Sequence, residues 1–321
     1  MTQATNTYDS YDTVGNREDL SEFIFDVSPW ETPIIALIGT RKAKSRVHEW
    51  QTDSLAASAM NHNIEGDDAQ SADALTATTR LNNVCAILKK KIVISGTQED
   101  GMDHAGVQSE VAYQEAKKMR EIKKDLEYMV LNGGETNGIG NVRVTGNATT
   151  AREFSSLQCY IATNADVGAL GAASTGDGTD AMTSGTDRAV TETIVGTVLT
   201  SCFTNGAEPT VLAVDGTNKG LVSDFTGGST RYVDTNTKEL IHSIDVYVGD
   251  FHTMKVIPSR HTPNEVGYHL DPEYLKLAEL RALQSYDLAK TGDNYRREMV
   301  WEVTIEVCNE AAHGIAGDLG G

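Results

Sequence analysis

The stretch from Ala105 to Leu131 constrains the fold more than any other part of this chain. Val107, Val111, Met119, Ile122, Leu126 and Met129/Val130 recur at spacings near three and four, which draws one apolar stripe along a helix. The opposite face offers the pairs Glu115–Lys118, Lys117–Glu121 and Lys123–Glu127, each contributing a few tenths of a kcal/mol. Asn132-Gly133-Gly134 then supplies the left-handed stop. At 1.5 Å per residue such a helix is about 40 Å long, a spine on which other elements must be laid.

Two neighbouring segments lack the means to bury themselves. The first is residues 1–45. Its first 16 residues are polar, and Leu20, Phe23, Ile24 and Val27 follow at helical spacing. Ser28-Pro29-Trp30-Glu31-Thr32-Pro33 interrupts that helix, because each proline biases its predecessor away from the helical region. Ile34 to Ile38 is a short apolar patch ending at Gly39, and it needs either the body of the protein or a second subunit. The second segment is residues 46–98, which read as one long two-stranded excursion. Val47–Leu55 leads out, and Leu75–Ser95 returns with the β-rich Ile92-Val93-Ile94 near its base. The tip, Ala56–Asp73, is small and acidic, with Glu65-Gly66-Asp67-Asp68 at its centre. A hairpin of that length with a polar tip reaches outward. The candidate intersubunit contacts are therefore Pro29, Trp30, Pro33 and Ile34 in the arm and Glu65, Asp67 and Asp68 in the hairpin. For Trp30 a core position remains the alternative.

Residues 133–187 hold ten glycines and nine threonines, and Phe154–Ile161 is their one extended apolar patch. This composition predicts long surface loops with an embedded strand or two. Asp187 is placed to cap a helix running to Phe203, with Val190, Ile194, Val198 and Cys202 on one face. Thr210–Val214 reads as a buried strand, and Ile244, Val246 and Val248 pair with Met254–Ile257 across Gly249-Asp250. The clearest strand is the last. Met299, Trp301, Val303, Ile305 and Val307 alternate with Glu298, Val300, Glu302, Thr304 and Glu306. The turn Lys290-Thr291-Gly292-Asp293-Asn294 makes Leu283–Ala289 its antiparallel partner, and Trp301 a core residue. The fold class is α+β.

Chemistry is scarce. Acidic residues outnumber basic ones 46 to 27 and the formal charge is −19, a balance unsuited to gripping nucleic acid. Two local basic runs exist, Arg41-Lys42-Ala43-Lys44-Ser45-Arg46 and Lys89-Lys90-Lys91, and solvated charge is the plain reading of both. No phosphate loop, dinucleotide fingerprint, nucleophile elbow or zinc-protease motif is present. No catalytic, cofactor or metal site is expected. His252, His261 and His269 are the closest histidine set, while Asp177-Gly178-Thr179-Asp180 and Glu65-Gly66-Asp67-Asp68 lack the register of a calcium loop. Cys85, Cys159, Cys202 and Cys308 are scattered and read as buried free thiols. No secretory signal and no apolar run of bilayer length is seen, so synthesis in the cytosol is expected.

The order of parts resembles the Hong Kong 97-type fold of tailed-bacteriophage major capsid proteins. Local motifs are similar to its SU10-like branch: Ser28-Pro29-Trp30-Glu31-Thr32-Pro33-Ile34, Glu49-Trp50 with Thr52-Asp53-Ser54-Leu55, Leu288-Ala289-Lys290-Thr291-Gly292-Asp293, and Trp301-Glu302-Val303-Thr304 through Asn309-Glu310-Ala311-Ala312-His313-Gly314. The similarity spans about residue 17 onward. It implies an N-terminal arm (1–45), an extended loop (46–98), a peripheral domain with spine helix and glycine-rich loops (99–187), an axial domain (188–290), and a last strand returning to the peripheral domain (291–321). It also implies hexamers and pentamers that close an icosahedral shell around double-stranded DNA, held without sequence-specific binding, and a place in the virion. The partners implied are other copies of the chain, a separate scaffolding protein, a portal protein, and decoration or cement proteins; no membrane is involved. An encapsulin-like compartment of the same fold, or another phage structural component, is the alternative. One member of the fold crosslinks its subunits through a Lys–Asn bond; no such crosslink is expected here.

Overall fold

The computed structural model describes residues 28–29, 31–62, 64–66, 75–102, 104–132, 140–225, 246–249 and 251–320. The chain begins with a short helix α1 (Pro33–Leu37), opened by the proline that suits a first helical turn, and an edge strand β1 (Gly39–Lys42). Strands β2 (Val47–Thr52), β3 (Thr79–Val84) and β4 (Ala86–Ser95) follow, then a π turn at Thr97–Gly101 and the helix α2 (Glu110–Leu131). After β5 (Ala165–Asp166) come α3 (Glu192–Thr204), β6 (Val211–Val214), α4 (Gly216–Ser223), β7 (Val246–Val248), β8 (Thr253–Pro258) and β9 (Gly267–Leu270). The long strands β10 (Leu275–Asp287) and β11 (Asn294–Val307) and the short β12 (Gly314–Ala316) close the order.

Three sheets result among the described residues. One has the order β1-β10-β11-β4, a second the order β5-β12-β9-β6-β8-β7, and the third is the isolated pair β2-β3. Both basic runs land on the two edges of the first sheet, β1 and β4, where charge discourages indiscriminate strand pairing. The hairpin expected near the end of the chain is present and longer than its pattern suggested, with β10 pairing β11 from Leu275↔Val307 to Asp287↔Arg297. The blocks 188–290 and 291–321 do not follow the sheets. Residues 275–287 lie in the first sheet, and residues 314–316 return to the second, where they pair with β9 and β5.

Helix α2 starts five residues later than its stripe predicts. Ser109 caps it, accepting from the Ala112 N–H at 3.2 Å, and Glu99 accepts from the Ser109 hydroxyl at 2.6 Å and the Val111 N–H at 3.0 Å. His104 and Val107 are already in a turn, so Val107 is not part of the helix. Val111, Ile122, Leu126, Val130 and Leu131 face the core as expected. The predicted charge pairs do not form. Lys118 binds Glu121 at 2.8 Å instead, Lys90 of β4 reaches Asp125 at 2.7 Å, and Glu115 is held by Arg297 of β11. Each of these ties the helix to the sheet or to itself where the sequence suggested a solvated face. The second helix is capped by Thr191, whose hydroxyl accepts from Ile194 N–H at 3.4 Å, and not by Asp187.

Residues 140–187 are not loose surface loops. Every residue from Phe154 to Ile161 is buried, with Ser155, Ser156 and Gln158 fully covered. Asp318 knits the glycine-rich turns together. Its backbone sits at φ 57°, and its carboxylate accepts from the N–H groups of Gly168 and Gly185, both at 2.7 Å, and from the Ser184 hydroxyl at 3.4 Å. A Cβ at Gly171 would stand 2.6 Å from the same carboxylate, which is why that turn requires glycine. Asp318→Ala is expected to lower the unfolding free energy of the isolated subunit by about 3 kcal/mol, because two buried N–H groups lose their acceptor. Urea melts of the two proteins check this.

Candidate assembly surfaces

The hairpin that leaves the body is rigid at its root. β2 and β3 pair antiparallel from Val47↔Val84 to Thr52↔Thr79, and β3 runs through Cys85 into β4 of the main sheet. Asn83 is fully buried; its amide donates to the carbonyls of Ser155 at 3.3 Å and Ile305 at 3.1 Å, and accepts from Ser155 N–H at 2.9 Å. The Asn82 carbonyl takes the Tyr160 hydroxyl at 2.8 Å and Arg143 at 2.9 Å. The Trp50 and Tyr160 rings lie 5.7 Å apart, and His48 Nε2 meets Glu306 at 2.8 Å. Burial alone would raise the Glu306 carboxyl, but the His48 hydrogen bond and the Arg41 charge outweigh it and hold the carboxyl below the usual range. Glu302, two turns of the pleat away, is held down in the same way by Arg281 and Arg152.

Past Thr52 the ladder stops and the chain offers apolar surface to solvent. Leu55, Met60, Ile64 and Leu75 are 98%, 88%, 81% and 96% exposed. Scattered exposed leucines are ordinary, but four large apolar residues on one projecting segment form a surface that the described residues leave uncovered. Glu65 is exposed in this segment. Asp67 and Asp68 lie outside the described residues, as does Trp30.

Besides the pairing of β1 with β10 and the Arg41–Glu306 bond, one carboxylate ties the arm to the spine. Glu127, expected on the polar face of the spine, is turned inward and fully buried. It accepts from Ile35 N–H at 3.1 Å, Ile34 N–H at 3.4 Å and the Ser259 hydroxyl at 3.3 Å. One side chain thus joins α1, α2 and the end of β8, and no ion pair to it exists among the described residues. Ile34 is 1% exposed in the chain's own core, which corrects its place among the intersubunit contacts: its side chain has no surface left for a neighbour. Pro33 is half-buried and Pro29 exposed.

A family model described as SU10 major capsid protein matches residues 3–320. The chain belongs to the SU10 major capsid protein family. The major capsid protein of Escherichia phage Phieco32 is 25% identical over 336 residues, which cover 95% of each chain. Among solved structures, a capsid chain of cyanophage A-1(L) is similar with TM-score 0.63 and 11% identity, over 97% of this chain and 98% of that one. A chain of the holo-SrpI encapsulin complex of Synechococcus elongatus PCC 7942 has TM-score 0.55 and 8% identity, over 95% and 92%. The fold is the Hong Kong 97 type, and this SU10 major capsid protein builds the shell of a tailed-phage virion.

The rest of this capsid protein is chemically quiet where it is described. Burial pushes the Cys85 and Cys159 thiols up to about 11 and Cys202 to about 12, so they are protonated, poor nucleophiles near neutral pH. Among the described residues no group of three or more His, Cys, Asp or Glu could hold a metal ion. The three histidines go separate ways: His261 packs edge-on against Tyr128 at 6.2 Å, His252 lies near Phe203, and burial pushes His269 down to about 4. In the Asp177–Asp180 loop the carboxylates are taken by Thr175 and Thr179 donors, which leaves them engaged within the turn. Sequence reasoning missed Glu127, Asn83 and Arg297. The one available signal was an acid flanked by Leu126 and Tyr128 and one turn before Val130 and Leu131, inside an otherwise apolar turn.

Glu127 also sets a pH dependence. Burial raises its carboxyl above the ordinary value, and the Ile35, Ile34 and Ser259 donors only partly oppose this. The protonated form therefore favours the folded subunit. Below the ordinary glutamate pKa both states hold the proton, and stability declines as pH climbs through the raised folded value. Glu127→Gln removes that titration, so its stability should improve relative to the native subunit from about pH 4 to about pH 7. Urea midpoints across this range measure the difference, and a constant difference would show that the fold leaves the Glu127 carboxyl unshifted.

Proposed function

We propose that this capsid protein assembles through hexamers and pentamers into an icosahedral head that encloses double-stranded DNA. In that shell the hairpin of residues 46–98 lies over a neighbouring subunit, and the arm of residues 1–45 reaches across to others. The observation that carries the reading is the run of exposed apolar residues, Leu55, Met60, Ile64 and Leu75, projecting from a root fixed by Asn83. A rigid stalk carrying apolar surface is a feature of subunits completed by their neighbours. The protein acts without catalysis. It works with a scaffolding protein and a portal, takes decoration or cement proteins on its exterior, and is made in the host cytoplasm. The encapsulin-like alternative shares the fold, and membership in a phage capsid family favours the viral head.

Deleting residues 58–72 should leave a folded monomer that no longer forms shells, because those residues lie beyond the paired strands. Electron microscopy of the expressed variant beside the native protein, each with its scaffold, reads the result, and normal particles would sink the proposal. For Trp30→Ala the expected loss is larger in particles than in the isolated subunit. Equal loss in thermal melts of both would place Trp30 in the core.

A further inference from the structure

The hairpin has opposite charge at its two ends. Arg41, Lys42, Lys44 and Arg46 sit at its root, and no Asp or Glu occurs between Glu31 and Glu49. From Val47 to Thr79 there is no Lys or Arg, while Glu49, Asp53, Glu65, Asp67, Asp68 and Asp73 all fall there. The fold keeps the basic end available. β1 is the edge strand of its sheet, and all four of its residues are exposed. Arg41 is already bound to Glu306 at 2.5 Å, but Lys42, Lys44 and Arg46 are exposed and have no ion-pair partner among the described residues. The other basic run is partly neutralised: Lys90 is paired with Asp125 at 2.7 Å and Lys89 lies 3.8 Å from Glu298, while exposed Lys91 has no ion-pair partner among the described residues. Beside β1 runs an open trough of about 530 Å³ lined by Thr40, Arg41, Lys42, Glu279, Arg281 and Gln284. In a chain with net charge −19, three exposed cations without ion pairs within five residues make a local basic surface.

We infer that the β1 edge and the turn that follows it, through Lys42, Lys44 and Arg46, are the docking surface for the acidic hairpin tip (Glu65 to Asp73) of a second copy of the chain. This rests on the reading that the hairpin lies over a neighbour and names where it lands. Six paired residues carry β2 about 20 Å from the root, and the further thirteen to Glu65 extend the reach to at most about 60 Å. A compact chain of this length has a radius of gyration of about 20 Å, so a segment of that contour length is long enough to reach a second copy. An acidic tip on one copy and a basic root on the next make a head-to-tail contact, the kind that closes into rings. Long-range attraction guides the approach, and the exposed apolar residues behind the tip complete the contact.

Charge reversal tests this in the full-length chain. One variant carries Lys42→Glu, Lys44→Glu and Arg46→Glu; the other carries Glu65→Lys, Asp67→Lys and Asp68→Lys. Thermal melts should match the native subunit, since Lys42, Lys44, Arg46 and Glu65 are exposed and make no ion pair among the described residues. Each variant alone should lose shells or capsomer rings about tenfold or more by electron microscopy and sedimentation, as like charges then face each other. Mixing the two variants should restore six-membered rings, in which the two can alternate, and native assembly should weaken as salt shortens the range of the attraction. If the mixture restores no six-membered rings while a chain carrying both triplets does, the inference is overturned, because the tip then docks on its own root. Normal shells from the root variant with reduced DNA content would also overturn it, and would assign the patch to nucleic acid. Normal shells from the 58–72 deletion would instead remove the underlying reading that the hairpin wraps a neighbour.

Discussion

Strand β11 is hydrogen-bonded along both edges, to β10 and to β4, and its residues from Met299 to Val307 are all buried. That double pairing is the constraint on which the projecting parts depend. β4 continues from the hairpin's return strand, so the hairpin inherits its direction from the register Val303↔Ala86 through Asn294↔Ser95. Arg297 of the same strand holds Glu115 of α2, and Lys90 of β4 holds Asp125, so the spine is clamped to the sheet at two points along its length. Removing β11 would leave the stalk and the spine without a common reference.

The alternation of Met299 to Val307 made β11 readable, and a helix stripe made α2 readable, because both are local periodicities. What the pattern could not show is that the polar face of β11 is also covered. Glu302 and Glu306 are buried under Arg152, Arg281, Arg41 and His48, residues contributed from positions up to 265 apart in sequence. Burying those carboxylates is tolerable because each meets two basic partners at hydrogen-bond distance, so their ionised form is retained. Composition misled at residues 140–187. Glycine there serves close approach of backbone to backbone and to Asp318, and does not loosen the chain. Short strands such as β5, β9 and β12 had no pattern of their own, since two to four residues buried on all sides carry no period. Of the seven candidate contact residues, Ile34 proved to belong to the core because α1 docks on the spine through Glu127, an interaction made by backbone N–H groups that no side-chain pattern encodes.

The two projecting parts are anchored by different physics. The hairpin root combines a buried neutral amide, Asn83, satisfied on three sides, with the charged Glu306 that His48 meets. Where α1 meets the spine, the arm instead uses a buried carboxylate with neutral donors, so that contact depends on the protonation state of Glu127. Each projection is therefore fixed by polar groups buried inside the subunit.

The position of β11 in the chain has a consequence for synthesis. A ribosome that has translated residues 1–290 has made the hairpin, the spine and most of the six-stranded sheet, yet the strand that unites them does not exist. β4 waits with an open edge for a partner more than two hundred positions downstream, and the glycine turns wait for Asp318. Such a nascent chain holds no finished hairpin root, because Ile305 is one of the two carbonyls that Asn83 needs. A polypeptide that ends before that point lacks the strand, the carbonyl and the carboxylate that fix its hairpin and glycine turns.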